Sequence, residues 1–175
     1  MPEPLLVRTV YDGSFVRVDV EDWPELGPWE VVHRHDATAV LPVTPDDRVV
    51  LVRQFRPAVR QSIVEAPAGL LDVEGEDALT AAGRELFEET GYRHTSIEFL
   101  AGMYPTVGSS DEYVHVFWAR TEAEPSGPVE TGIELVIEPL ARMANAARSG
   151  KVRDAKTALA LLMAADRPPL PSAPA

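Results

Sequence analysis

The segment between Asp77 and Gly91 constrains the fold of this chain most, because it carries two helix-end signals and an unusual charge pattern. Asp is a residue type that caps helix N-termini, and Gly is the type that ends helices in a left-handed conformation. Between them, Glu85, Glu88 and Glu89 stand three and four positions apart, so a helix places their carboxylates on one face. A divalent cation that prefers oxygen ligands offsets the repulsion between them. The segment therefore predicts a helix that carries either a cation site or a solvated acidic face.

Strand signals on both sides of this helix predict an α/β protein. Valines alternate with charged residues from Phe15 to Val20, as in a half-buried strand. The helix itself has an apolar stripe at Leu79, Ala82 and Leu86. Further strands are predicted at 29–33, 37–43, 48–54, 62–66, 97–103, 113–119 and 135–137, and closing helices at 140–148 and 154–165. This order of elements predicts a mixed sheet with helices packed on its faces.

Composition and charge exclude several classes of function. A chain of 175 residues is typical of one domain, and 28 acidic residues against 16 Lys and Arg give a net charge of −12. Such a charge repels nucleic acids and anionic membranes. The chain has no cysteine, no signal-peptide pattern at its start and no apolar run near the ~20 residues of a membrane span. We therefore expect a cytoplasmic protein that binds neither nucleic acid nor membranes.

The helix and the residues before it resemble the Nudix box, Gly-x5-Glu-x7-Arg-Glu-U-x-Glu-Glu-x-Gly-U, in which U is a bulky apolar residue. The match is complete from Glu76 to Tyr92. One departure exists, because six residues rather than five separate Gly69 from Glu76. The extra residue falls in a loop, where an insertion costs little and leaves the helix register unchanged.

Three flanking segments, 51–57, 65–70 and 105–112, resemble the ADP-ribose pyrophosphatase branch of the Nudix hydrolases. The resemblance implies an α/β/α sandwich with a mixed sheet and a small N-terminal antiparallel sheet. It divides the chain into N-terminal strands over 1–36 and a Nudix hydrolase domain over 37–166. The four prolines over 167–175 predict a disordered tail after this domain. In this branch the N-terminal strands build a homodimer; the alternative is that they extend the main sheet.

The resemblance also implies a metal site. In similar enzymes two or three Mg²⁺ (or Mn²⁺) ions grip a pyrophosphate. The ligands implied here are the backbone carbonyl of Ala68 and the side chains of Glu85, Glu88 and Glu89. Arg84 is expected to hold these glutamates in place as their ion-pair partner, and both Arg84 and Glu88 are counted among the catalytic residues.

A general base and substrate contacts are implied by the same resemblance. The base is expected in the loop over 122–132, where Glu130 is the first choice. Glu134 and Glu112, both outside this loop, are the alternatives. Arg56, at a strand end, resembles the arginine that touches substrate phosphate or ribose, and its alternative is a surface arginine. The predicted substrate-binding residues are Arg53, Arg56 and Glu112.

The predicted reaction is Mg²⁺-dependent hydrolysis of ADP-ribose to AMP and ribose 5-phosphate. The nearest alternatives are other small nucleoside diphosphate compounds, namely a GDP-sugar, a dinucleoside polyphosphate or a flavin dinucleotide. A Nudix fold kept as a non-catalytic ligand sensor is an alternative of another class. The intact box favours an enzyme, because sensors of this fold usually have a decayed box or an attached DNA-binding domain.

Overall fold

Two separate sheets organise the chain in the computed structural model, which describes residues 3–167. The predicted tail lies outside this range from residue 168 onward. No helix within the range is long and apolar enough to cross a bilayer. The elements are β1 (Leu6–Asp12), β2 (Arg17–Trp23), β3 (Gly27–His33), β4 (Ala37–Val43), β5 (Arg48–Arg56), β6 (Gln61–Glu65), β7 (Ala68–Leu70), α1 (Ala78–Thr90), β8 (His94–Met103), β9 (Val114–Thr121), β10 (Glu134–Pro139), α2 (Leu140–Arg148) and α3 (Ala155–Ala165).

The larger sheet has seven strands and is mixed, as the sequence predicts. Its central path runs β10-β5-β4-β9-β8, with β6 paired to β5 and β7 paired to β4. The β4–β9 pair is parallel, and the other pairs are antiparallel. The three-residue strand β7 was not predicted, because Pro67 and Gly69 read as a bend and its pairing with β4 is a tertiary contact.

Helices cover both faces of this sheet. Alternate residues of β4 enter two different cores, because successive side chains of a strand point to opposite faces. Ala39, Leu41 and Val43 pack with residues of α2 and α3 in one core. Val40 packs with Leu86 of α1 in the other. The prediction of an α/β/α sandwich is therefore confirmed.

Helix α1 begins and ends where its sequence signals place it. The Asp77 side chain accepts a hydrogen bond from the Thr80 N–H at 2.7 Å, and Gly91 has a φ of 73°. Ala82 and Leu86 are fully buried, as predicted, but Leu79 is 44% exposed. The prediction for Leu79 was wrong, because Ala78, and not Leu79, packs against the core that contains Ala82 and Leu86.

The smaller sheet consists of β1, β2 and β3 in an antiparallel arrangement and lies apart from the main sheet. The predicted small N-terminal sheet is thus confirmed, and the alternative of one extended sheet is wrong. Strand β1 was not predicted, and every one of its residues is exposed in the single chain. The sheet contacts the larger unit through the Val32 N–H, which donates to the Ser109 carbonyl at 2.8 Å, and through His33 Nδ1, which lies 2.6 Å from Asp111 Oδ2.

Candidate active site

Arg84 connects the loop before α1 to two carboxylates of the helix. Its Nε and Nη2 donate to Glu76 at 2.9 and 2.8 Å. Its Nη1 donates to Glu85 at 2.7 Å and to Glu88 at 3.1 Å. These hydrogen bonds, above all those to Glu76, raise the pKa of Arg84. Glu85 and Glu88 are therefore held in place by a guanidinium that stays charged.

Glu89 is the most buried carboxylate of α1, with only 6% of the residue exposed. Gln54 Nε2 donates to its Oε1 at 2.9 Å, and the Ala68 N–H donates to its Oε2 at 3.1 Å. Burial raises the pKa of Glu89 to about 7, because the two hydrogen bonds offset only part of the desolvation and nearby carboxylates repel its charge. A cation beside Glu89 would favour its charged form.

The backbone at Ala68 and Gly69 lies against the Glu85 carboxylate. A Cβ atom added at Gly69 would fall 2.0 Å from Glu85 Oε1 and 2.1 Å from its Cδ. These separations are far below van der Waals contact, so only glycine leaves room for the carboxylate. Pairing of Ala68 with Ala39 of β4 fixes this short strand beside α1. The Ala68 peptide, whose carbonyl is the predicted backbone ligand, is therefore close to Glu85 and Glu89.

The donor atoms on this side of α1 fit a hard divalent cation. Glu85, Glu88, Glu89 and the Ala68 carbonyl offer only oxygen, which Mg²⁺ and Mn²⁺ prefer. Burial raises the pKa of Glu85 and of Glu89. Such a rise is expected for buried carboxylates that lack a full compensating positive charge. In the described part of the chain, no three acidic or histidine side chains already form a cation-binding cluster. Cation binding would therefore require these side chains to lie closer together than they do in this structure.

The loop between β9 and β10 carries Glu130 and is anchored to the end of α1. The N–H groups of Ser126 and Gly127 both donate to the Gly91 carbonyl, at 2.8 and 3.0 Å. Glu130 lies close enough to the two buried carboxylates of α1 that its charge raises the pKa of each. The first choice for the general base therefore lies near the predicted metal ligands.

A cavity of about 810 Å³ opens beside Ala68. Arg56 lines this cavity, and its Nε and Nη2 donate to the Glu65 carboxylate at 2.7 and 3.2 Å. Glu112 lines it as well, with its Oε2 3.7 Å from Nη1 of Arg34. Two predicted substrate-binding residues thus meet at one cavity next to the predicted backbone ligand.

Arg53 does not line this cavity. Its Nη1 donates to Glu134 Oε1 at 2.8 Å, across the pair formed by β5 and β10. Gln54 and Arg56 instead contact Glu89 and Glu65, as strand alternation requires. The structure therefore separates Arg53 from the other predicted substrate-binding residues, and it gives Glu134, an alternative base, a cross-strand partner.

Two residues without a role in the sequence prediction contact predicted ones, and a third supports one of these two. Gln54 holds Glu89, Glu65 holds Arg56, and Lys156 Nζ donates to Glu65 at 2.9 Å. Strand alternation could have indicated Gln54, because it shares a face with Arg56. The contact between Glu65 and Lys156 joins positions 91 residues apart, and no local pattern indicates it.

Comparison with known proteins identifies the family. A model of the NUDIX domain matches residues 33–159. The ADP-ribose pyrophosphatase of Bacillus subtilis is 34% identical over 164 residues, which cover 87% of this chain and 86% of that protein. The GDP-mannose pyrophosphatase of Cronobacter sakazakii is 35% identical over 144 residues, which cover 75% of this chain and 74% of that protein. The methanol dehydrogenase activator of Bacillus methanolicus is 36% identical over 115 residues, which cover 63% of this chain and 62% of that protein. The chain therefore belongs to the Nudix hydrolase family, as its sequence predicts, and its similarity to ADP-ribose pyrophosphatases is confirmed.

Proposed function

We propose that the protein hydrolyses the pyrophosphate bond of ADP-ribose to give AMP and ribose 5-phosphate. One observation carries this proposal: Ala68 and Gly69 line the same cavity as Arg56, and their backbone lies against Glu89 and Glu85 on the acidic face of α1. Acidic oxygens suit a cation-bridged pyrophosphate, and an arginine suits its phosphate oxygens. The similarity to an ADP-ribose pyrophosphatase over 87% of this chain supports the choice of substrate.

Nudix hydrolases generally use divalent cations such as Mg²⁺. In this chain the cations would be held by Glu85, Glu88, Glu89 and the Ala68 carbonyl, and we propose two or three ions of Mg²⁺ or Mn²⁺. When bound, they would screen the phosphate oxygens and lower the pKa of the attacking water. Arg84 would keep Glu85 and Glu88 in position through the hydrogen bonds described above.

The chain's own residues would then divide the remaining work. Arg56 would donate hydrogen bonds to a substrate phosphate, and Glu112, which lines the same cavity, would also contact the substrate. Glu130 would take a proton from the water as it attacks phosphorus, and the bond from that phosphorus to the bridging oxygen would break. The phosphate on the other side would leave with that oxygen.

A GDP-sugar is the second candidate substrate. The observation that favours it is the GDP-mannose pyrophosphatase that is 35% identical over 75% of this chain. The same carboxylates and Arg56 would serve either substrate, because both contain a pyrophosphate. The difference would lie in the contacts to the base and to the sugar.

We also propose that the active form is a homodimer built by the N-terminal sheet. Strand β1 is exposed along its whole length, and Leu6, Val7, Val10 and Tyr11 are each about half exposed or more. An apolar strand at a sheet edge is a surface that a second chain covers. We accordingly propose that the chain divides into dimer-forming strands over 1–36 and a hydrolase domain over 37–166.

A substrate panel tests the proposed function. The purified protein is incubated with Mg²⁺ and separately with ADP-ribose, GDP-mannose, a dinucleoside polyphosphate and a flavin dinucleotide, and the products are identified by chromatography. The proposal predicts the highest kcat/KM for ADP-ribose, with AMP and ribose 5-phosphate as products. A higher kcat/KM for GDP-mannose would select the second candidate, and no hydrolysis of any compound would contradict both.

A further inference from the structure

Beside the proposed catalytic groups, four charged side chains form a chain of contacts along one wall of the cavity. Arg56 contacts Glu65, Glu65 contacts Lys156, and Lys156 contacts Asp154, through N···O separations from 2.7 to 2.9 Å. All four residues line the cavity. Their two positive and two negative charges balance, so the group as a whole is not an anion site. Its geometry instead determines how one of its members, Arg56, is presented.

Glu65 is the centre of this group and is only 4% exposed. Its Oε1 accepts from Arg56 Nε at 2.7 Å, and its Oε2 accepts from both Arg56 Nη2 at 3.2 Å and Lys156 Nζ at 2.9 Å. Burial alone would raise the pKa of Glu65, but the hydrogen bonds and charges of Arg56 and Lys156 outweigh it and lower the pKa. The carboxylate is therefore charged and has a partner on each oxygen.

The contact with Glu65 fixes the plane of the Arg56 guanidinium. A guanidinium that uses Nε and one Nη nitrogen on the same carboxylate is held at two points and cannot rotate freely. Nη1 of Arg56 has no hydrogen-bond partner within residues 3–167. Its two N–H groups therefore remain for a ligand in the cavity.

Lys156 in turn fixes the carboxylate of Glu65. Its Nζ lies between Glu65 Oε2 and Asp154 Oδ1, at 2.9 and 2.8 Å, so its charge is already shared by two anions. The start of α3 is attached to the same strand end, because the Ala66 N–H donates to Thr157 Oγ1 at 2.7 Å. The start of helix α3 thus holds Lys156 beside the carboxylate that Arg56 contacts.

We propose that Lys156 is a positioning residue for substrate binding, which acts through Glu65 to hold the Arg56 guanidinium with its free N–H groups toward the substrate phosphate. This inference rests on the proposed function, in which Arg56 binds that phosphate. The proposal assigns Lys156 no substrate contact of its own, because its Nζ already donates to Glu65 and Asp154.

The test is a double-mutant cycle on kcat/KM with ADP-ribose and Mg²⁺. The variants are Lys156→Met, Lys156→Arg, Arg56→Ala and the double variant Lys156→Met/Arg56→Ala. We expect Lys156→Met to lower kcat/KM roughly tenfold, mainly through KM, as misplacement of a binding group does. Lys156→Arg should recover most of the activity. In the Arg56→Ala background, Lys156→Met should have no further effect, because its target is gone.

The chain offers a matched control, since its other lysine is Lys151, five positions earlier and exposed. Lys151→Met removes the same charge, and we expect wild-type kinetics from it. Thermal unfolding of each variant measures the loss of stability separately. If Lys156→Met lowers kcat/KM by the same factor with and without Arg56, Lys156 acts independently of Arg56 and the proposal is overturned. Unchanged kinetics of Lys156→Met would overturn it as well.

A binding measurement separates this proposal from the proposed function. The ligand is a methylene analogue of ADP-ribose, in which carbon replaces the bridging oxygen, and its Kd is measured by calorimetry with Mg²⁺. A Kd raised roughly tenfold by Lys156→Met, but not by Lys151→Met, supports the positioning role even if ADP-ribose is not hydrolysed. An unchanged Kd overturns the positioning role even if ADP-ribose is hydrolysed. If the wild type does not bind the analogue, both proposals are overturned.

Discussion

Replacement of Gly69 by alanine perturbs the proposed metal site with one methyl group. The added Cβ would lie 2.0 Å from Glu85 Oε1, 2.1 Å from Cδ and 2.7 Å from Oε2. Contact between such atoms begins near ~3.5 Å, so the carboxylate would have to move by more than about 1 Å. The move would also break the 2.7 Å hydrogen bond from Arg84 Nη1 to Glu85.

The expected effect on catalysis is large and the effect on stability is small. A displacement of about 1 Å in a catalytic group costs on the order of a hundredfold in rate. Overpacking of this kind destabilises a protein by about 1–3 kcal/mol, which leaves most domains folded. We therefore expect Gly69→Ala to fold, to unfold at a somewhat lower temperature and to lose about a hundredfold in kcat with ADP-ribose and Mg²⁺.

The matched control is Gly83→Ala on α1. There the added Cβ would meet the ring of His94, whose nearest atom is 2.8 Å away, and this exposed side chain can rotate aside. Alanine is also favoured over glycine in a helix by up to about 1 kcal/mol. Gly83→Ala should keep wild-type activity at equal or higher stability. Wild-type kcat in Gly69→Ala would refute the claim that the position of Glu85 matters for the reaction.

Three further predictions concern other parts of the molecule. Glu130→Gln should lower kcat while the Mg²⁺ concentration for half-maximal rate stays the same, because the carboxylates of α1 are untouched; wild-type kcat would transfer the role of base to Glu112 or Glu134. Sedimentation velocity at micromolar concentration should show a dimer that Val7→Glu weakens, and a wild-type monomer would contradict the proposed assembly. Because the pKa of folded Glu65 lies below the ordinary 4.5, its contribution to stability is complete above that pH and is lost as pH falls through the folded value. Urea unfolding of Glu65→Gln should therefore show a flatter acid limb than the wild type, and equal slopes would contradict the lowered pKa.

Local signals predicted the elements whose ends are determined by their own residues. Helix α1 lies between Asp77 and Gly91 because the cap and the left-handed glycine act within one turn. Strand β1 was not predicted, because all its residues are exposed in the single chain and neither of its faces is buried. Strand β7 escaped because three residues gain strand geometry only by pairing with β4.

The candidate site divides in the same way. Three carboxylates on one helix face follow from their spacing, and so does the guanidinium of Arg84 beside them. Arg53 and Arg56 could not be told apart by residue type, since each was an arginine near the end of one strand. Their neighbours distinguish the two arginines. Arg53 contacts Glu134 on β10, whereas Arg56 contacts Glu65 at the cavity.

The most direct measurement of the central claim is the turnover of Glu89→Gln with ADP-ribose at saturating Mg²⁺. The substitution keeps the size of the side chain and one oxygen that can accept from Gln54. It removes the negative charge that the cations would require, and it replaces the oxygen that accepts from the Ala68 N–H by an amide nitrogen. The account predicts a folded protein, shown by an unchanged circular dichroism spectrum, whose kcat falls by about a hundredfold or more. Glu85→Gln should behave in the same way. A folded Glu89→Gln variant with near wild-type kcat would contradict the assignment of the acidic face of α1 as the metal site.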